Sequence, residues 1–114
     1  AGNNVAVTCN IGDTLNFNLS GVSGSHPFYL RDSSGGPNVS TPAATGQGST
    51  GTATVSWTPN TAGTYYYQCS NHGGMIGSIT VTNTGSGIDI VSESQEGWFT
   101  IQAQDAVNNT LTTY

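Results

Sequence analysis

The run DTLNFNLSG, residues 13 to 21, sets Leu15, Phe17 and Leu19 at every second position with polar residues between them. That two-residue period places all three side chains on one face of an extended strand and gives no stripe on a helix. The pattern recurs in short runs bounded by Gly, Asn or Pro: NNVAVTC, HPFYLRD, GTATVSW, GTYYYQC and GSITVTN. Nothing in the chain carries the period of a long amphipathic helix. Many short alternating strands separated by turn residues predict an all-β protein, a Greek-key β-sandwich. Gly12-Asp13 is the expected turn into the second strand. NTAGTY reads as the corner before a core strand, with the Tyr65 hydroxyl returning to the backbone a few residues upstream. Tyr65 and Tyr67 are expected in the core and Tyr66 outside it. The Ser/Gly/Pro/Thr-rich stretch between Asp32 and Gly51 is long for a structureless loop, so a short edge strand is expected inside it.

Charge excludes several functions. Arg31 is the only Lys or Arg, against six carboxylates, and four of these (Asp89, Glu93, Glu96, Asp105) follow Gly85. A chain with one cation cannot neutralise a phosphate backbone, so no nucleic-acid partner is expected. No run approaches the length of a membrane span. The Ser, Thr, Gly and Asn enrichment points to an exported protein, periplasmic, extracellular or on a cell or virion surface.

Within YYYQCSNHGGMIGSITV, one cysteine, one histidine and the only methionine stand at Cys69, His72 and Met75, three residues apart. Alone, each has an ordinary reading: a buried thiol, an exposed loop histidine, a core methionine. Together they offer the soft and borderline donors of a copper site. Two imidazoles and a thiolate in a plane, with a weak axial thioether, hold copper in both oxidation states with little rearrangement. The second imidazole has one source, His26 in SGSHPFYL, because the chain has two histidines. A Cys9–Cys69 disulfide is not expected. Cys9 lies near the Gly12-Asp13 turn and Cys69 at the far end of its strand, and seven strand residues span about 23 Å. Cys9 is expected to be a buried apolar side chain.

These residues resemble the cupredoxins, the blue-copper family that includes plastocyanin and amicyanin. TPNTAGTYYYQCSNHGGMIGSITV is similar to that family's ligand loop and its flanking strands. VTCNIGDTLNFNLSG resembles the strand and turn leading to the first histidine. The likeness covers about residues 3 to 83, and the Cys-x₂-His-x₂-Met spacing is that of the short-loop members. It implies a type 1 copper ion held by His26, Cys69, His72 and Met75, one-electron transfer between Cu(II) and Cu(I), and a redox partner that the sequence does not name. The chain departs from the family pattern at three points. Pro27 stands where a polar residue, often Asn, ties the two ligand loops together. Gln68 stands where plastocyanin-like chains carry a tyrosine before the cysteine. No counterpart of plastocyanin's acidic docking patch is present.

No enzyme is expected. A dinuclear copper centre needs a second cysteine in the ligand loop, and multicopper oxidases and nitrite reductases need more histidines. No nucleophile elbow or hydrolytic carboxylate pair is seen. The expected organisation is a copper-binding domain over residues 1–84 and a C-terminal extension over 85–114, where IDIVSES and WFTIQAQDA read as two further strands. Trp98, Phe99 and Ile101 read either as a strand packed on the sandwich or as an apolar surface for self-association. The alternative from another class is therefore a structural or surface-assembly subunit of a virion or filament, with copper as a stabilising clip or absent.

Overall fold

The computed structural model describes residues 6–40, 42–83, 89–91, 99–104 and 110–113. These hold nine strands: β1 (Ala6–Asn10), β2 (Thr14–Leu19), β3 (Phe28–Arg31), β4 (Thr54–Trp57), β5 (Gly63–Cys69), β6 (Ile76–Thr82), β7 (Asp89–Val91), β8 (Phe99–Gln104) and β9 (Thr110–Thr113). They form two sheets, ordered β3-β5-β6-β1-β7 and β4-β2-β8-β9. The β1–β6 pair is parallel and the other pairs are antiparallel. From β1 to β5 the chain passes from one sheet to the other at each connection, which closes a single core between them. No helix of the described residues is long and apolar enough to cross a membrane.

The period-two pattern sets which faces meet. Leu15, Phe17 and Leu19 of β2 are buried, and opposite them lie Val7, Cys9, Leu30, Tyr67, Ile79 and Val81 of the other sheet, also buried. At the centre Phe17, Phe28, Tyr67 and Phe99 make an aromatic block. Phe28 stacks on Tyr67 with centroids 5.9 Å apart, and Phe99 meets Tyr67 edge-on at 4.8 Å. Gly77 stands opposite Tyr67 in the β5–β6 register, and any Cβ there would overlap the Tyr67 ring. The turn between β1 and β2 needs Gly12 at φ 90°, a region that side-chain-bearing residues rarely enter.

The corner before β5 has the expected form: the Tyr65 hydroxyl donates to the Thr61 carbonyl at 2.7 Å. Cys9 and Cys69 are both free thiols. Cys9 is level with Val81, and Val81 with Gly63, so Cys69 is offset by six residues along β5, about 20 Å. Between Asp32 and Gly51 the described residues form isolated bridges, such as Arg31 with Asn38 and Thr45 with Ser56, and no strand of the expected kind. The Gln47 side chain serves there as a strand partner, its Oε1 accepting from Leu30 N–H and its Nε2 donating to Leu30 C=O, both at 2.8 Å.

The C-terminal strands join both sheets. β7 pairs with β1, and β8 pairs with β2 in the register Leu19↔Phe99 and Phe17↔Ile101. Phe99 and Ile101 are buried in the core. The alternative of an apolar assembly surface thus does not hold for these two side chains, because the sandwich itself consumes them. Trp98 lies outside the described residues.

Candidate metal centre

His26, Cys69 and His72 meet at one end of the sandwich. Each is placed by a different local device. His26 closes a turn, its N–H donating to Ser23 C=O at 2.9 Å, and Pro27 then leads the chain into β3. Cys69 is the last residue of β5 and stands opposite Phe28, the first of β3, so the strand pair joins the two ligand segments at their base. His72 lies in the tight loop to β6. Within that loop Met75 N–H donates to His72 C=O at 2.9 Å, and Cys69 N–H donates to Met75 C=O at 3.0 Å. The Cys-x₂-His-x₂-Met spacing is therefore the length of one hydrogen-bonded turn.

The donor atoms converge. Cys69 Sγ is 3.7 Å from His26 Nδ1 and 3.5 Å from His72 Nδ1, and the two Nδ1 atoms are 3.1 Å apart. An ion bonded at about 2.0 Å to nitrogen and about 2.3 Å to sulfur, with angles of about 100–120°, needs N···S separations of about 3.3–3.7 Å and N···N of about 3.1–3.5 Å. All three distances fall in those ranges, so the donor set fits a small d-block ion. Cys69 is buried, His26 half-buried and His72 exposed. The thiol is thus shielded from water while one imidazole reaches the surface. Met75 is half-buried against the core and tied to the triad by the backbone bonds above.

Two residues important to the site escaped the sequence reading of their roles. Asn71 donates its side-chain amide to Ser25 C=O at 3.0 Å and its backbone N–H to Cys69 Sγ at 3.4 Å. With Ser70 N–H on Pro27 C=O at 3.2 Å, it joins the two ligand segments from the cysteine side. The clasp that Pro27 cannot make is therefore supplied by Asn71 and Ser70. A polar residue between two candidate ligands was the available signal. Gln68 is the second: it is 3 % exposed, and both ends of its amide are used. The period of β5 turned it away from the core and concealed its burial.

Away from the site, burial pushes the Cys9 thiol up to about 12, with the Asp13 carboxylate adding to the effect. Cys9 is therefore a neutral apolar side chain. Burial likewise raises the Tyr67 phenol. Comparison with protein-family models, with curated proteins and with solved structures finds no match to this chain.

Proposed function

We propose that the chain is a cupredoxin-like electron carrier in which His26, Cys69 and His72 would hold one copper ion, with Met75 as a further, weak sulfur donor. The observation that carries this reading is the convergence of one sulfur and two imidazole nitrogens at separations that suit a trigonal ion. The passage of the chain between two sheets and the parallel β1–β6 pair agree with a cupredoxin-like Greek key. Zinc would accept the same three donors. The thioether three residues after His72 favours copper, since sulfur donors select its reduced form.

Bound copper supplies a one-electron couple. Cys69, as thiolate, is the strong ligand, and its burial keeps water off the sulfur. His26 and His72 hold their Nδ1 atoms in place through two separate turns. Phe28, the register partner of Cys69, stacks on Tyr67 in the core and resists movement of the ligand segments. A frame that does not relax between oxidation states keeps the reorganisation cost of electron transfer low. The exposed His72, followed by Gly73 and Gly74, presents an unobstructed edge to a redox partner. Of the three tail residues on which an assembly surface was argued, Phe99 and Ile101 lie inside the sandwich.

The test is titration of the metal-free chain with Cu(II). One equivalent should bind with intense visible absorption from thiolate-to-copper charge transfer. Cys69→Ser should abolish the colour, and His26→Ala should admit small ligands. Full copper occupancy without colour refutes the type 1 assignment.

A further inference from the structure

We propose that Gln68 is the positioning residue for the His72 side of the metal centre, an inference that rests on the copper reading of that site. Alternation along β5 turns Tyr65, Tyr67 and Cys69 toward the core, and Gln68 toward the opposite face. It is nonetheless 3 % exposed. Its Oε1 accepts from Gly35 N–H at 2.8 Å and from Arg31 Nη1 at 3.4 Å, and its Nε2 donates to Gly73 C=O at 3.1 Å. A backbone N–H only donates and a carbonyl only accepts, so these two partners fix which way the amide points.

What the amide holds is the least supported part of the site. Asn71, His72, Gly73 and Gly74 are all exposed, and the two glycines have no side chains with which to anchor the loop. The Gln68 bond is made at the carbonyl of the residue next to His72. Without it, the Gly73-Gly74 backbone keeps only the turn bond from Met75 N–H to His72 C=O and can move more, carrying the histidine with it. Gln68 is also joined covalently to Cys69. The same side chain therefore references His72 to the strand that presents the sulfur, and references both to the turn containing Gly35.

Two variants separate positioning from plain structural support. Gln68→Glu keeps an acceptor for Gly35 and Arg31 but has no donor for Gly73 at neutral pH. Arg31 Nε, buried without a partner, gives the carboxylate a further reason to stay in place. Gln68→Met removes every bond at similar volume. The readouts are NMR order parameters of residues 71–74 in the metal-free protein, thermal melting, the Cu(II) EPR spectrum, and the rate of copper release to a chelator. Gln68→Glu should melt like the parent. Its Gly73 and Gly74 order parameters should fall from the rigid range near ~0.85 to below ~0.6. Copper release should quicken by roughly 3- to 10-fold, the effect of one lost neutral hydrogen bond, with an altered hyperfine pattern. Gln68→Met should show the same loosening with a lower melting temperature. Parent-like order and release in Gln68→Glu overturn the proposal, as does a loss of order that only accompanies a loss of melting temperature. The order parameters need no metal. A parent chain that binds no copper therefore defeats the copper reading, while the positioning of the loop by Gln68 is still decided by its own measurement.

Discussion

Replacement of Phe99 by alanine should be among the most damaging single changes outside the candidate metal centre. Phe99 is 1 % exposed. Its ring lies 5.6 Å from Phe17, 5.5 Å from Phe28 and 4.8 Å from Tyr67, in edge-on contacts with all three. Removing a buried phenyl group costs about 3–5 kcal/mol, because apolar burial is lost and a cavity remains that the neighbours fill only in part. A domain of this size has roughly 5–15 kcal/mol of stability in total. At about 4 °C per kcal/mol, the melting temperature should drop by roughly 12–20 °C. The assay is urea unfolding followed by tryptophan fluorescence, with Thr100→Ala as the control. Thr100 is adjacent on β8 and exposed, so its loss should stay within about 0.5 kcal/mol. A Phe99→Ala cost below about 1 kcal/mol would refute the reasoning. It would mean that β8 adds little to the core and that the domain expected over residues 1–84 stands without it.

Three further outcomes follow from the same geometry. Gly77→Ala should destabilise the fold by about 1–3 kcal/mol or more, read from the unfolding midpoint, because the new methyl group meets the buried Tyr67 ring. Met75→Leu should retain copper and raise the reduction potential in voltammetry, since loss of a weak axial donor disfavours Cu(II); an unchanged potential would show that the thioether does not approach the metal. Metal-free protein should lose stability as pH rises above about 9, because Cys9 ionises in the unfolded chain there but only near 12 when folded. The contribution is complete below the unfolded value and is lost on the way up to the folded one. Cys9→Ala should remove about 1 kcal/mol of the stability lost between pH 9 and 10, measured by urea unfolding.

The strands that bury one face were legible because alternation is a physical demand of a half-buried sheet. Thr14–Leu19 shows it most plainly, with every second residue apolar and buried, whereas along Gly63–Cys69 burial deepens toward the cysteine instead of alternating. β9 was not legible. Its sequence, TLTT, has a single apolar residue and hence no period, and it joins the sheet only as the outer partner of β8. The metal triad was legible for two different reasons. Cys69 and His72 share one turn, so their spacing is local. His26 followed from elimination, since the chain holds no other histidine. The supports of the site were hidden because each depends on distant chain. Asn71 acts on Ser25, and Gln68 on Gly35, across sequence separations of 46 and 33 residues.

Pro27 and Asn71 together show how the two segments can be joined without a polar residue after His26. A proline after the first histidine has no N–H and no polar side chain, so the histidine segment cannot reach across to the cysteine loop. The reach instead runs the other way. Asn71 sends its amide to Ser25 C=O, Ser70 sends its N–H to Pro27 C=O, and the same Asn71 directs its backbone N–H at the Cys69 sulfur. The proline contributes what it still has, a carbonyl and a fixed φ that holds His26 at the mouth of β3. Two bonds from one short loop thus join the ligand segments, and a third ties that loop to the Cys69 sulfur. On the opposite side, the Gly73 backbone after His72 is held by the Gln68 amide. The mechanical weak point of the centre is therefore the Gly73-Gly74 side of His72, which is also the side exposed to solvent.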